Sequence, residues 1–298
     1  MRLRLVLLCL VLSASPAAAA PNVLATIKPI HSLVAQVMRG VGWPELLVEG
    51  AASEHGYALK PSDAHKIAEA DVIFWVGPNL ETFLIGPLNS LGAHARIVTL
   101  ENEDTVRRLP ARNGGLWGYD QEDGPTDPHI WLDAHNAIAM LRVIAAELAH
   151  DDPANAKRYY ANAAASIGAL VKLDRTLSAR LEPVRPFPYI VYHDAYHYFE
   201  ARYGLSAIGS VTVAPDRPIG PRRIAVLRDA VKRGKAICVF REPQFPPALV
   251  DTLKSGTDAR TGVLDPLGAD LNPGPDLYAA LLNNIATSLI HCLQPKRP

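Results

Sequence analysis

The chain has 298 residues, with 30 Lys+Arg balancing 30 Asp+Glu, 49% apolar residues and 20% charged ones. That length accommodates one large domain or two of ordinary size. The composition excludes a disordered, collagen-like or disulfide-dense protein, and a formal net charge of zero argues against a nucleic-acid partner, which would need a basic stripe. The one skew toward chemistry is ten His against three Cys and three Met, because imidazole serves both metal binding and proton transfer.

The first elements read as an export signal. Arg2 and Arg4 form a positive start, Leu5 to Ser13 an apolar run, and Ala17 to Ala20 a set of small residues, the three parts of a cleavable signal peptide. The run falls short of the ~20 apolar residues that span a bilayer, and Leu8 before Cys9 does not fit a lipid anchor. A cut after Ala19 leaves a soluble exported chain of residues 20–298, in which only Cys238 and Cys292 remain. In an oxidising compartment two Cys most simply form one disulfide. The alternative, a thiolate metal site, finds no CxxC or Cys-His spacing.

Beyond the signal, short β runs alternate with helical periods. The first half predicts strands at Val23–Thr26, Leu46–Val48, Asp71–Val76 and Arg96–Leu100. Helices are predicted at Pro29–Arg39, Pro61–Ala70, Asn79–Leu91 and Ala134–Ala149. The second half repeats the pattern, with strands at Tyr189–Tyr192, Ser206–Val211, Ala236–Phe240 and Arg260–Leu264. Its helices are predicted at Ala195–Arg202, Pro221–Lys232, Pro247–Lys254 and Asp276–Leu293. Such interleaving indicates βα units and mostly parallel sheets. Between the halves, Pro153–Leu181 shows no strand signal and only Gly168 interrupts it, predicting a strut of about 29 residues or roughly 43 Å. Two helices broken at Gly168 are the alternative. The organisation is therefore a signal (1–19), an α/β lobe (20–150), a linking helix (151–183) and a second α/β lobe (184–298). Glu101–Asp127, with seven acidic residues, three Arg, four Gly and two Pro, is a long loop, and such loops are usually functional or disordered.

Four metal-capable side chains fall where parallel sheets bind ligands, beyond the carboxyl ends of strands. His55 follows the second strand. His129, in Asp127-Pro128-His129-Ile130-Trp131-Leu132, follows the long loop. His193 follows the Tyr189 strand, and Asp265 the Arg260 strand. Two precede the strut and two follow it, so they are expected to converge between the lobes. His65, His94, His135 and His150 lie on or beside exposed-looking helical faces. His197 stands four residues after His193 and would share a helix face with it. His193-Asp194-Ala195-Tyr196-His197 thus has the spacing of the H-E-x-x-H zinc hydrolase motif, with Asp at the general-base position.

The segments Glu54-His55-Gly56-Tyr57-Ala58-Leu59-Lys60-Pro61-Ser62-Asp63, Asp127 to Leu132, Tyr192-His193-Asp194-Ala195-Tyr196 and Leu264-Asp265-Pro266-Leu267-Gly268 together resemble the zinc and manganese receptors of ABC importers. The match runs in order over nearly the whole mature chain and includes Glu242-Pro243-Gln244-Phe245. The resemblance implies a two-lobed fold with a metal in the interlobe cleft. It implies His55, His129 and His193 as nitrogen ligands, Asp265 as a carboxylate at or near the metal, and Glu54 as an acidic neighbour able to approach it. A Cys238–Cys292 disulfide matches zinc-type members. Manganese-type relatives usually carry a carboxylate where this chain has His193, and three imidazoles with one oxygen suit four-coordinate Zn²⁺, whereas Mn²⁺ prefers oxygen-rich octahedral sites. Many zinc receptors have a His-rich loop before the second ligand; Glu101–Asp127 has no His. Its Asp120, Glu122, Asp123 and Asp127 would attract cations weakly, and Trp117 and Tyr119 are candidates to cover the cleft or touch the permease.

The resulting expectation is a periplasmic Zn²⁺ receptor, monomeric, without membrane anchor or catalytic activity, that delivers its ion to an inner-membrane ABC permease. Its affinity would fall as pH drops through about 6, where imidazole protonates. The alternatives are a manganese or iron receptor of the same fold and, more remotely, a zinc hydrolase using His193 and His197, with His197 an accessory ligand.

Overall fold

The computed structural model describes residues 20–118, 126–212 and 219–294. The signal segment 1–19, Cys9, Tyr119, Asp120, Glu122 and Asp123 lie outside these.

The first lobe contains β1 (Val23–Ala25), α1 (Lys28–Val37), β2 (Glu45–Leu46), α2 (Pro61–Glu69), β3 (Val72–Trp75), α3 (Ile85–Leu91), β4 (Arg96–Thr99) and α4 (Ala134–Asp151). Its strands form one parallel sheet in the order β2-β1-β3-β4. The apolar runs of β1 and β3 are buried along their whole length, as expected of parallel strands covered on both faces. Pro29 in the first turn of α1 and Pro61 at the start of α2 occupy positions where a missing N–H costs nothing. The Asp63 carboxylate accepts the Lys60 N–H at 2.8 Å, and Asp133 caps α4 by accepting the His135 N–H at 2.8 Å.

After α5 (Ala156–Leu181), the second lobe contains β5 (Tyr189–Val191), α6 (His197–Tyr203), β6 (Ala207–Ser210), α7 (Pro221–Lys232), β7 (Cys238–Arg241), α8 (Ala248–Lys254), β8 (Arg260–Val263) and α9 (Leu277–Leu293). Its parallel sheet has the order β6-β5-β7-β8, the same topology as the first. Each sheet reverses direction of strand addition beside its first strand, so each lobe has one crevice at the carboxyl ends of its strands.

The expected elements are all present, most with shifted ends, and three differences matter. The helix predicted from Asn79 begins only at Thr82, as a 3₁₀ turn that leads into α3. The reason is that Glu81 folds back to accept the Val76 and Gly77 N–H groups at 2.8 and 3.2 Å. The strut is one helix of 26 residues, about 39 Å long, preceded by a 3₁₀ turn at Pro153–Asn155. Gly168 does not break it, and a side chain there would meet open space. Finally, α6 begins at His197 rather than Ala195.

The strut is built into both lobes. Its Asp174 pairs with Arg202 of α6 and accepts the Tyr203 hydroxyl. Arg180 reaches Asn283 and Thr287 of α9, each at 2.8 Å. One apolar core runs through α1, α4, α5, α6 and α9, so the lobes share a single buried body. At its edge Lys28 of α1 is buried and donates to the carbonyls of Gly268, Ala269 and Leu271 at 3.1, 2.7 and 3.2 Å. The disulfide expected between Cys238 and Cys292 is present and ties β7 to α9. Among the described residues no helix is long and apolar enough to cross a membrane.

Candidate metal centre

Each lobe brings side chains to the interlobe cleft from the carboxyl ends of its strands. The loop after β2 supplies Glu54 and His55, and the turn after β5 supplies His193. His129 arrives from the end of the 101–127 loop, immediately before the 3₁₀ turn Ile130–Leu132. One donor atom from each of Glu54, His55, His129 and His193 lies within 4.8 Å of the others. The His129 Nε2 stands 3.3 Å from the Nε2 of His55 and 3.3 Å from that of His193.

Two carboxylates behind the rings fix which nitrogen faces inward. Asp127 accepts the His129 Nδ1–H at 2.8 Å and the His129 backbone N–H at 2.9 Å. Glu242, immediately after β7, holds the His193 Nδ1–H at 2.7 Å and also accepts the Tyr196 hydroxyl at 3.3 Å. With Nδ1 engaged as donor, each ring turns its Nε2 toward the cleft, the arrangement that orients metal-binding imidazoles. Both carboxylates are almost wholly buried. Phe245 packs its ring against Tyr192 in parallel, 4.8 Å between centroids, and edge-on to His193.

The electrostatics follow from crowding acceptors in a desolvated space. Burial lifts Glu54 above its ordinary carboxyl range, and its Oε1 has no hydrogen-bond partner. Burial, then the neighbouring His129 and His193 rings, pushes His55 well below its usual value. For His193 burial also works downward, but the charge and hydrogen bond of Glu242 together outweigh it and raise the ring to about 9. Asp127 is held down to about 2, because the hydrogen bonds and charge of His129 overcome its burial. Three imidazole nitrogens and one carboxylate oxygen thus converge in a desolvated space, a donor set that suits a bound cation.

The structure does not bring every expected residue into this cluster. Asp265 lies after β8 as expected, but its carboxylate is turned into its own loop. There it accepts the N–H groups of Leu267, Gly268 and Ala269 at 3.0, 3.0 and 2.5 Å and the Gln244 amide at 2.9 Å. The loop is held in place by the Trp131 indole, which donates to the Pro266 carbonyl at 2.8 Å. The carboxylate that lies within the cluster is that of Glu54. His197 is outside the cluster as well: its Nδ1 faces Asp127 at 3.6 Å, beyond hydrogen-bond reach. His193 sits in a turn before α6, with the Ala195 N–H on its carbonyl, so His193 and His197 share no helix face. The H-E-x-x-H spacing therefore lacks the helix that gives it meaning. His65, His94, His135 and His150 are exposed. Asp127 is not the weak surface attractant expected of the acidic loop, since it is buried beneath His129. The roles of Asp127 and Glu242 behind the rings do not follow from the sequence pattern. The available signals were a carboxylate two residues before a candidate ligand and a Glu directly after a parallel strand.

The family model of the zinc-uptake complex component A, periplasmic, matches residues 23–292, nearly all of the described chain. The protein belongs to that family. The high-affinity zinc uptake system protein ZnuA of Brucella abortus (strain 2308) is 44% identical over 91% of each chain. The corresponding protein of Yersinia pestis is 32% identical, over 93% of this chain and 92% of its own. Among solved structures, a ZnuA deletion mutant with zinc bound superposes with a TM-score of 0.79 at 25% identity, covering 93% of this chain and all of that one. Family membership agrees with the two-lobed architecture and places the protein among periplasmic solute receptors.

Proposed function

We propose that this protein captures Zn²⁺ in the periplasm through His55, His129, His193 and Glu54 and hands it to an inner-membrane ABC permease. The observation that carries the reading is the spacing of the imidazole nitrogens. A tetrahedral ion with Zn–N bonds of 2.0–2.1 Å requires its ligand atoms about 3.3 Å apart, and the two His129 Nε2 contacts are 3.3 Å. Glu54 Oε1, buried and without a partner, is the fourth donor. Three nitrogens and one oxygen favour Zn²⁺ over Mn²⁺, whose preference for octahedral oxygen ligands separates the related manganese or iron receptors.

In this reading Asp265 is a neighbour that shapes the cleft floor, and His197 is not a ligand. Four protein donors leave no open position for an activated water, unlike catalytic zinc sites, so the protein is a receptor and not an enzyme. It acts as a monomer, free of a membrane anchor once the signal segment 1–19 is cleaved. The built-in strut and shared core support small local rearrangement of the donor loops on metal release rather than a wide hinge opening. The test is competition: metal-stripped protein dialysed against equimolar Zn²⁺ and Mn²⁺ should retain one Zn²⁺ per chain and little Mn²⁺, and preferential Mn²⁺ retention would overturn the assignment.

The raised His193 changes the expected pH dependence. Below about pH 9 the ring carries a proton that must leave before Nε2 binds a cation, whereas His55 is already neutral at pH 7. Zinc binding at pH 7.5 should therefore release about one proton, and affinity should climb about tenfold per pH unit up to about 9 before levelling. The decline on acidification thus begins well above the pH of about 6 expected from an unperturbed imidazole. Calorimetry in two buffers of different ionisation enthalpy reads the proton count directly; zero release at pH 7.5 would contradict it.

A further inference from the structure

The loop that delivers His129 also clasps the segment that delivers His193. Arg112 lies midway along this loop, and its guanidinium forms a bidentate pair with Asp194, whose contacts to Nε are 3.1 and 3.0 Å. Its remaining nitrogen, Nη1, pairs with Glu200 of α6. One face of the guanidinium stacks on Trp117, 3.6 Å from the ring centroid, so all three of its nitrogens and one face are engaged. Asp194 directly follows His193, and Glu200 is nearly fully buried at 3% side-chain exposure and also accepts the Tyr189 hydroxyl at 3.2 Å. The same loop meets α6 at a second place, where the Tyr198 hydroxyl donates to the Asp127 carbonyl and accepts the Leu109 N–H, at 2.8 and 2.9 Å. Further along, the Leu116 carbonyl accepts the Ser210 N–H at 3.1 Å on the edge of β6, and Gly209 lies so close to Leu116 that any side chain there would collide with it.

We propose that Arg112 is a positioning residue for metal retention. By pairing with Asp194 and Glu200 it locks the His193 turn to the loop that carries His129, fixes the separation of the two rings, and slows escape of the bound ion. The inference rests on the reading that these histidines hold the metal. A planar fork is needed because two carboxylates in different directions must be met at once, which a lysine ammonium does not reproduce. Loss of the fork leaves Glu200 buried beside an unpaired Asp194, and relaxation of these charges moves the turn at His193.

The experiment uses the mature, zinc-loaded protein in four forms: wild type, Arg112→Met, Arg112→Lys and, as control, Arg96→Met, whose ion pairs with Asp151 and Glu147 lie at the far end of β4. Zinc transfer to excess chelator is followed by stopped flow, the Co²⁺-substituted proteins by their ligand-field absorption, and the metal-free proteins by thermal unfolding. Arg112→Met should lose zinc roughly tenfold faster, the lower end of what outer partners of metal ligands are worth, with a weakened Co²⁺ band. Arg112→Lys should be intermediate and Arg96→Met unchanged. An unaltered off-rate and Co²⁺ spectrum in Arg112→Met, whatever the change in unfolding temperature, would reduce Arg112 to a structural clamp and overturn the proposal. If Arg112→Met does not fold, Arg112→Lys and Asp194→Asn decide by the same two readouts. A wild type that fails to bind Zn²⁺ would instead overturn the reading of the site itself.

Discussion

Replacing His193 by alanine is expected to weaken zinc binding by at least about 100-fold, because one of four donors carries roughly a quarter of a binding free energy on the order of 12 kcal/mol. The effect should exceed that share, since the substitution also strands Glu242. That carboxylate is buried at 2% exposure and among the described residues keeps the Tyr196 hydroxyl and the backbone N–H of residue 193 as partners, so it would be left without the ring that balances it. His197→Ala, by contrast, should leave affinity within about twofold of wild type, a difference near the limit of resolvable free energies. Chelator competition with a zinc-sensitive dye measures both. Equal losses for the two variants would restore the His193–His197 pair as the metal site.

The second large effect concerns stability. Cys238 and Cys292 close a loop with a sequence separation of 54, and the chain-entropy cost lifted from folding by such a closure is about 4 kcal/mol. The bond joins the start of β7 to the last turns of α9, and the far end of β7 runs directly into Glu242. Both sulfurs are buried, so a Cys238→Ala/Cys292→Ala double variant adds a small cavity to the lost cross-link. Its unfolding temperature should fall by roughly 10 °C, read by calorimetry of the metal-free proteins so that zinc linkage does not mask the change. A shift of one or two degrees would mean that the unfolded chain is already compact around this closure.

Much of this molecule was legible because parallel sheets impose strong local signatures. The run from Val72 to Trp75 is continuously apolar, and the helices beside it carry clear 3.6-residue periods, so alternation and strand-end positions were readable. His55 and His193 fell at such ends, and with them the convergence of the lobes. Pro221–Lys232 matched its predicted limits, and the strut followed from an unbroken helical stretch. The differences concern where side chains turn. Asp265 sits at a strand end, yet Asp-Pro-Leu-Gly is a turn sequence in which the carboxylate is consumed by three N–H groups of its own loop. Glu54, implied by the resemblance as an acidic neighbour able to approach the metal, lies within the cluster because its loop folds inward. The pairing of His193 with His197 needed a helix that begins four residues before α6 does.

The 101–127 loop resisted reading for a different reason. In its described residues, 101–118 and 126–127, the contacts are distant in sequence: Arg112 with Asp194 and Glu200, Leu109 with Tyr198, and Leu116 with Ser210. No periodicity records such partners. Trp117, expected over the cleft or at the permease, lies beneath the Arg112 guanidinium. Glu242 was hidden in the same way, since its partner His193 is 49 residues away.

X-ray absorption on the zinc-loaded protein tests the central claim most directly, because it counts and types the donors around the ion. Three nitrogens at 2.0–2.1 Å and one carboxylate oxygen at a similar distance, with imidazole scattering, are the predicted result, and removing Glu54 should replace that oxygen by water without losing a nitrogen. Two imidazoles, or a shell of five or six mostly oxygen donors, would contradict the assignment of His55, His129, His193 and Glu54 as the zinc cage.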